Sequence, residues 1–434
     1  MSLDPARIRD AALRLREAES GVRILRNIAW DRSVREEFFA RGARELPRVT
    51  YPVFDPSPIH LALLEATRGI RGDSAIARWL LRSADAIAAS ADLLATVGTP
   101  QFLEHGVRIF GLPTGESGGV TPLGLARRVD ELCRDLGDMD LGAPPEACHL
   151  AEGVAQTLRD ACTELFGSQS PEVLVVDDLS SNALAGPRRI QVRRGACFTD
   201  RDAQQLVQHE AFVHVCTSLN GRLQHDLPLL GASHAGTTRT QEGLAVFAEF
   251  ITGALDLDRF RRLADRVLAI QRALEGADFL EVYRSFVERG LSDDQAFENT
   301  RRVFRGGVLT GGAPFLKDNV YLDGLLRVTS FLRVLIAEHR ADCLPLLFCG
   351  KLDLEDVPAL AQLTELGLCR PPQFLPPWAG DRRFLVTYLG YSIFLNAVKL
   401  DEQRAHYRSV LAETPVVRGG ASELETAPDG GPRP

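Results

Sequence analysis

Two histidines stand five residues apart in QHEAFVHV, Gln208 to Val215, inside a stretch that reads as helix. This spacing constrains the fold more than any other feature of the chain. Histidines four apart on a regular α-helix are about 40° out of line, and five apart they are about 140° out of line. His209 and His214 can therefore share one ion only where the helix is locally widened, and a π-bulge absorbs a single extra residue. The reason to expect an ion is chemical. Two imidazoles on one side of a helix can hold zinc, and Glu210, beside the first of them, can take the proton of a water at the metal. Zinc lowers the pKa of such a water to about 7.

A third ligand is offered by TTRTQEGLAVFAE, Thr237 to Glu249, which reads as a second helix. Thr238 and Gln241 have the spacing of a capping box. Glu242 then falls in the first turn or so, where the helix dipole favours a carboxylate. Gly243 beside it permits close approach of another helix. Glu249, seven residues on and nearly on the same face, is either the partner of a ligand histidine or a rival ligand. His225 and His234 lie in the long connection between the two helices. They read as solvated loop histidines, with ligation as a fallback.

Around these helices the pattern is mainly helical. Residues 1–45 read as helix, with Asp4-Pro5 as a start. LPRVTYPVFDPSP, Leu46 to Pro58, is extended, and helix returns to about Phe166, interrupted by the loop FGLPTGESGGVTP. PEVLVVDDL, Pro171 to Leu179, and RRIQVRRG, Arg188 to Gly195, read as strands with a turn at SSNALAGP between them. The helix of the two histidines opens at Thr199, with Asp200 and Asp202 in its first turn, and Asn220-Gly221 is expected to stop it. After about Asp256 helix dominates, broken by the glycine-rich segment Phe304 to Tyr321. The expected fold is α+β and mainly helical, with a small β-sheet next to the HExxxH helix. Residues 1–45 form a helical extension, 46–412 the catalytic domain, and 413–434 a Gly/Pro/Glu-rich tail expected to be disordered.

Composition removes some partners. The 434 residues carry a formal net charge of −8, which gives no global attraction to nucleic acid or anionic membranes. The most apolar stretch, Leu325 to Ala337, is interrupted by Arg327 and Arg333 and reads as a buried helix, not a membrane span. The first residues lack the apolar run of a signal peptide. Eight cysteines are scattered without a CxxC pair, which suits reduced thiols in a cytoplasmic protein.

TQEGLA, Thr240 to Ala245, together with HEAFVH, resembles the QEGLA-motif family. That family includes bacterial proteins described as modulators of flavohaemoglobin expression, and the animal microtubule-associated tyrosine carboxypeptidases, which remove the last tyrosine of α-tubulin. The resemblance runs from about Leu46 to about Lys399 and includes FGLP (Phe110 to Pro113), RVFRG (Arg302 to Gly306) and FLKDNVYLDG (Phe315 to Gly324). It implies that His209, His214 and Glu242 are zinc ligands and that Glu210 is the base. QEGLA is also similar to the NEG-type ligand motif of the wider gluzincin peptidases, which implies a gluzincin-like core.

A carboxypeptidase needs a cation for the substrate's terminal carboxylate, and Arg302, Arg305 and Lys317 are candidates. Tyr321 can donate to a developing oxyanion. The alternative is that these four residues hold their loop through ion pairs. The expected function is a zinc-dependent peptidase, a carboxypeptidase acting on a peptide or protein C-terminus. Two rivals stand beside it. One is a metal-dependent amidase with a small substrate. The other is a non-catalytic metal-binding regulator, whose structural zinc would be closed by a fourth ligand such as Cys216 or His234.

Overall fold

The computed structural model describes residues 4–136, 149–177, 179, 182–396, 398–401, 403, 404, 407 and 408. The tail 413–434 and Cys148 lie outside the described residues. The architecture is mainly helical with one small sheet. Pro5, whose ring presets a helical φ, opens the helix Pro5–Ser20. Its Ile8, Ala11, Ala12 and Leu15 are fully buried against the helix Ser57–Thr67 and the 3-10 turn Pro228–Gly231. Phe38, from the helix Arg32–Ala40, packs on Phe279 and Phe297 with ring centroids 5.5 and 5.1 Å away. The amino-terminal helices thus contribute to the same core as the rest of the chain.

The sheet has three strands, β1 (Glu172–Val176), β2 (Ala183–Ala185) and β3 (Arg189–Arg193), in the order β1-β3-β2. β3 alternates as its sequence predicts. Ile190 and Val192 are fully buried, whereas Arg189 is exposed. β2 corrects the reading of SSNALAGP as a turn. A strand of three residues is too short to display alternation, so only its pairing with β3 reveals it. β2 pairs antiparallel with β3, and β1, on the other edge of β3, runs parallel to it. β2 packs on the helix of the two histidines.

Thr199 and Asp202 form a capping box and start the helix Asp200–Leu206. It continues as the π-helical segment Val207–Val215 and then as the α-helix Cys216–Arg222. The stop expected at Asn220-Gly221 is not a glycine cap, since the helix runs on to Arg222. Gly221 is there for contact, because a Cβ at this position would lie 2.2 Å from the carbonyl oxygen of Leu230.

The second helix, Thr238–Ile251, lacks the expected capping box. Its N-cap Thr237 makes no side-chain cap, and Gln241 is engaged elsewhere, as described below. The helix crosses Val320–Ala337 at two glycines, and a Cβ on Gly243 would lie 2.2 Å from the backbone of Gly324. No side chain fits between the two backbones there. The stretch from Leu325 to Ala337 is part of this partner helix, with Leu325, Val328, Leu332 and Leu335 buried. Among the described residues no helix is long and apolar enough to cross a membrane.

Candidate metal centre

The π-helical segment answers the five-residue spacing. Its i→i+5 pattern widens the turn, and the rings of His209 and His214 come together with centroids 4.8 Å apart and planes at 86°. Glu242 reaches them from the second helix, in its second turn and not at its start. Glu242 Oε2 lies 3.4 Å from His209 Nε2 and 3.5 Å from His214 Nε2. All three donor atoms lie within 4.8 Å of one another. These separations suit an ion, since two ligands at about 2.0–2.1 Å from a tetrahedral zinc are about 3.3–3.4 Å apart. Glu242 Oε2 is also buried with no hydrogen-bond partner, an arrangement that costs stability unless something positive meets that oxygen. Two imidazoles and one carboxylate form a three-ligand set that leaves a tetrahedral ion one open position.

The candidate fourth ligands are elsewhere. Cys216 donates its thiol hydrogen to the Phe374 carbonyl, at 3.3 Å. His234 is buried, contrary to its reading as a solvated loop residue, and His225 is exposed. Neither joins the three-residue group.

Behind His209 lies its support. Nδ1 is 2.6 Å from Glu249 Oε1, so the ring donates there and turns Nε2 toward His214 and Glu242. Glu249 is thus a partner of His209 and stands outside the three converging donors. Arg259 donates to both Glu249 oxygens, at 3.1 and 3.0 Å, and Gln205 donates to Oε1 at 2.8 Å. Burial works against the charged form of Glu249, but Arg259 and His209 outweigh it and bring its pKa down to about 2. Burial opposes the charge on Glu242 as well. Lys317, with the two histidines, holds that carboxyl well below its ordinary range. Lys317 Nζ donates to Glu242 Oε1 at 2.8 Å, which leaves Oε2 as the oxygen facing the imidazoles.

Glu210 is half-buried beside His209, and its carboxylate makes no hydrogen bond or ion pair with another described residue. Tyr321 is buried, its ring centroid 6.4 Å from that of His209. Its hydroxyl accepts from Lys317 Nζ at 3.1 Å, which leaves the phenolic hydrogen free to be donated. Of the cations in the glycine-rich segment, Arg302 forms a two-pronged pair with Asp318, at 2.6 and 2.8 Å, and Lys317 is held by Glu242. Neither has a free fork to offer. Arg305 does: it is 8% exposed, its Nε has no hydrogen-bond partner among the described residues, its guanidinium lies 5.5 Å from the centre of the Phe315 ring, and Asp318 attracts it only through space.

Sequence reasoning missed Arg259, Arg266, Asp318, Gln241 and Lys351. Arg266 is mostly buried, its Nε also unpartnered and 3.9 Å from the nearest carboxylate oxygen, on Asp318. Burial pushes Arg266 and Arg305 down to about 10. Five cations (Arg259, Arg266, Arg302, Arg305 and Lys317) act on Tyr321 electrostatically. Of these cations, Lys317 pairs with Glu242, Arg259 with Glu249, and Arg302 with Asp318. One signal for Lys351 was present. The chain has three lysines, Lys317, Lys351 and Lys399, among its 50 basic residues, and two of the three lie at this centre, Lys351 buried and Lys317 mostly so.

A family model described as microtubule-associated tyrosine carboxypeptidase matches residues 36–397. No curated protein matches the chain.

Proposed function

The chain belongs to the microtubule-associated tyrosine carboxypeptidase family, and from that premise we propose that it is a zinc-dependent peptidase with a gluzincin-like core, acting on the C-terminus of a peptide or protein. The observation that carries this reading is the convergence of His209 Nε2, His214 Nε2 and the unpartnered Glu242 Oε2. These three residues would hold the zinc. When bound, zinc supplies Lewis acidity to the scissile carbonyl and to water.

The remaining roles fall to side chains of this chain. Glu210, unpaired beside the ligands, takes the proton of the attacking water as its oxygen bonds to the carbonyl carbon. It then delivers that proton to the departing nitrogen as the C–N bond breaks. Tyr321 donates its phenolic hydrogen to the carbonyl oxygen as negative charge develops there. Lys317 orients Tyr321 and neutralises Glu242 Oε1. Arg305, with Arg266 near it in charge, receives the substrate's free carboxylate. A buried guanidinium without a directly bonded anion is a costly arrangement that such a ligand relieves. Arg302 keeps Asp318 and the loop in place.

The test is a pair of peptides differing only in a free or amidated C-terminus, incubated with protein of measured zinc content. The reading expects close to one zinc per chain and cleavage of the free-acid peptide. Amidation, or Arg305→Ala, should cut kcat/KM by about tenfold or more, the scale of a charge-assisted hydrogen bond. Equal cleavage of both peptides would remove the carboxypeptidase reading. Absence of zinc would remove the metal reading.

A further inference from the structure

Lys351 is buried, and among the described residues no carboxylate lies within ion-pair distance of it, although Glu242 and Glu210 attract it through space. Its ammonium donates to two neutral oxygens, the His214 backbone carbonyl at 3.1 Å and Gln241 Oε1 at 2.9 Å. A buried ammonium on neutral acceptors is an expensive way to hold a fold, and an apolar residue of the same length costs less. Its position is specific. His214 is one metal-ligand candidate, and Gln241 precedes another, Glu242. The two residues belong to different helices, and one ammonium ties them together. Around it the contacts converge on the same place. Ser218 donates to the His214 carbonyl at 2.6 Å, and Thr217 lies within hydrogen-bond reach of Gln241 Oε1 at 2.8 Å and of the Val213 carbonyl at 2.7 Å. Both acceptor carbonyls lie in the π-helical segment, where the widened turn displaces the usual bonding. The backbone under Lys351 is equally constrained. Its N–H donates to the Leu230 carbonyl at 2.7 Å, and a Cβ on Gly350 would lie 2.5 Å from that same oxygen. With 47 arginines (50 − 3 lysines) in the sequence, a lysine here meets a need for a small charge at the end of a thin stem.

We propose that Lys351 is a positioning residue that clamps the widened turn to the Gln241–Glu242 turn and so sets the spacing between His214 and Glu242. This explains why glutamine stands before the glutamate: its side-chain oxygen is the clamp's second anchor. The inference rests on the metal reading above.

The test compares the full-length wild type with Lys351→Met, which keeps length and loses the charge, and with Gln241→Met, which removes the acceptor. Three quantities are read: zinc affinity by competition with a chelator, the visible absorption of the cobalt(II)-loaded protein, and the melting temperature of the metal-free protein. Both variants should bind zinc about 10–100-fold more weakly, the scale for groups that orient metal ligands. They should also shift the cobalt bands, and the metal-free Lys351→Met protein should melt no lower than wild type. Because the clamp acts as a unit, the double variant should lose less than the product of the single losses. If Lys351→Met does not fold, Gln241→Met carries the test. Zinc affinities within about twofold of wild type overturn the clamp and leave the metal reading intact. A wild type that binds no zinc overturns both.

Discussion

Glu210 and Glu242 are carboxylates of the same centre with opposite surroundings. Glu242 is tied to Lys317 through Oε1 and faces two imidazoles through Oε2. Glu210 has no such partner. On the proposed function this difference would separate a ligand from a base, and mutation should separate them too. Glu210→Gln keeps the shape and removes the proton acceptor, so zinc should stay bound while hydrolysis falls by about 100-fold or more. Glu242→Ala removes a charged ligand and should weaken zinc binding itself. Metal content and cleavage measured on the same preparations decide the matter. Zinc lost from Glu210→Gln and kept by Glu242→Ala would mean the two roles are exchanged.

At the scale of elements, the centre depends on two helices meeting almost backbone to backbone. Glu242 is carried by Thr238–Ile251, which touches Val320–Ala337 through Gly243 and Gly324. Lys317 and Tyr321 enter from the start of that same partner, so one crossing sets the positions of ligand, cation and phenol together. Gly243→Ala puts a methyl 2.2 Å from the Gly324 backbone. The helices must part, and unfolding measurements should show a loss of about 1–3 kcal/mol, with weaker zinc binding. Gly153→Ala is the control. Gly153 also lies within a helix, Ala151–Phe166, but a Cβ there meets nothing within 4 Å. It should gain about 0.5–1 kcal/mol from helix propensity. Equal effects at the two glycines would show that the crossing is not tight.

For the molecule as a whole, one buried histidine in the connection between the helices of His214 and Glu242 is expected to make the fold acid-sensitive. His234 lies in that connection, and burial pushes its pKa down to about 4, with Asp353 opposing weakly. A histidine whose folded pKa is below its unfolded value of about 6.5 stays neutral in the native state while the unfolded chain takes up the proton. The stability it carries is full above pH 6.5 and is lost as pH falls from there toward 4. The shift corresponds to about 3 kcal/mol over that window. Denaturation of wild type and His234→Leu at pH 7 and pH 4.5 checks this. The difference between the two pH values should shrink in the variant, and an unchanged difference would assign the acid sensitivity to other groups.

The sequence by itself determined the features that depend on near neighbours in the chain. The capping box at Thr199 and Asp202, the alternation of β3, the buried face within Leu325 to Ala337 and the need for a widened turn between His209 and His214 all follow from spacings of a few residues. Periodicity and capping are interactions over one or two turns, so the sequence displays them directly. It also brought His209, His214 and Glu242 forward as one candidate ligand set, through the HExxxH spacing, the place of Glu242 near the start of its helix and the resemblance to the QEGLA-motif family. Only the tertiary structure decided which charge meets which. Lys317 and Glu242 are 75 residues apart, and Lys351 and Gln241 are 110 apart. With so many arginines, no pattern in the sequence marks Arg302 as paired with Asp318 and Arg305 as lacking an ion pair among the described residues. The same holds for Glu249, whose face allowed two roles until its distance to His209 Nδ1 chose one, and for β2, which exists only through its partner strand. The physical reason is common to these cases. Desolvation makes an ion's partner decisive, and that partner comes from wherever the packed chain brings an opposite charge, however distant in sequence.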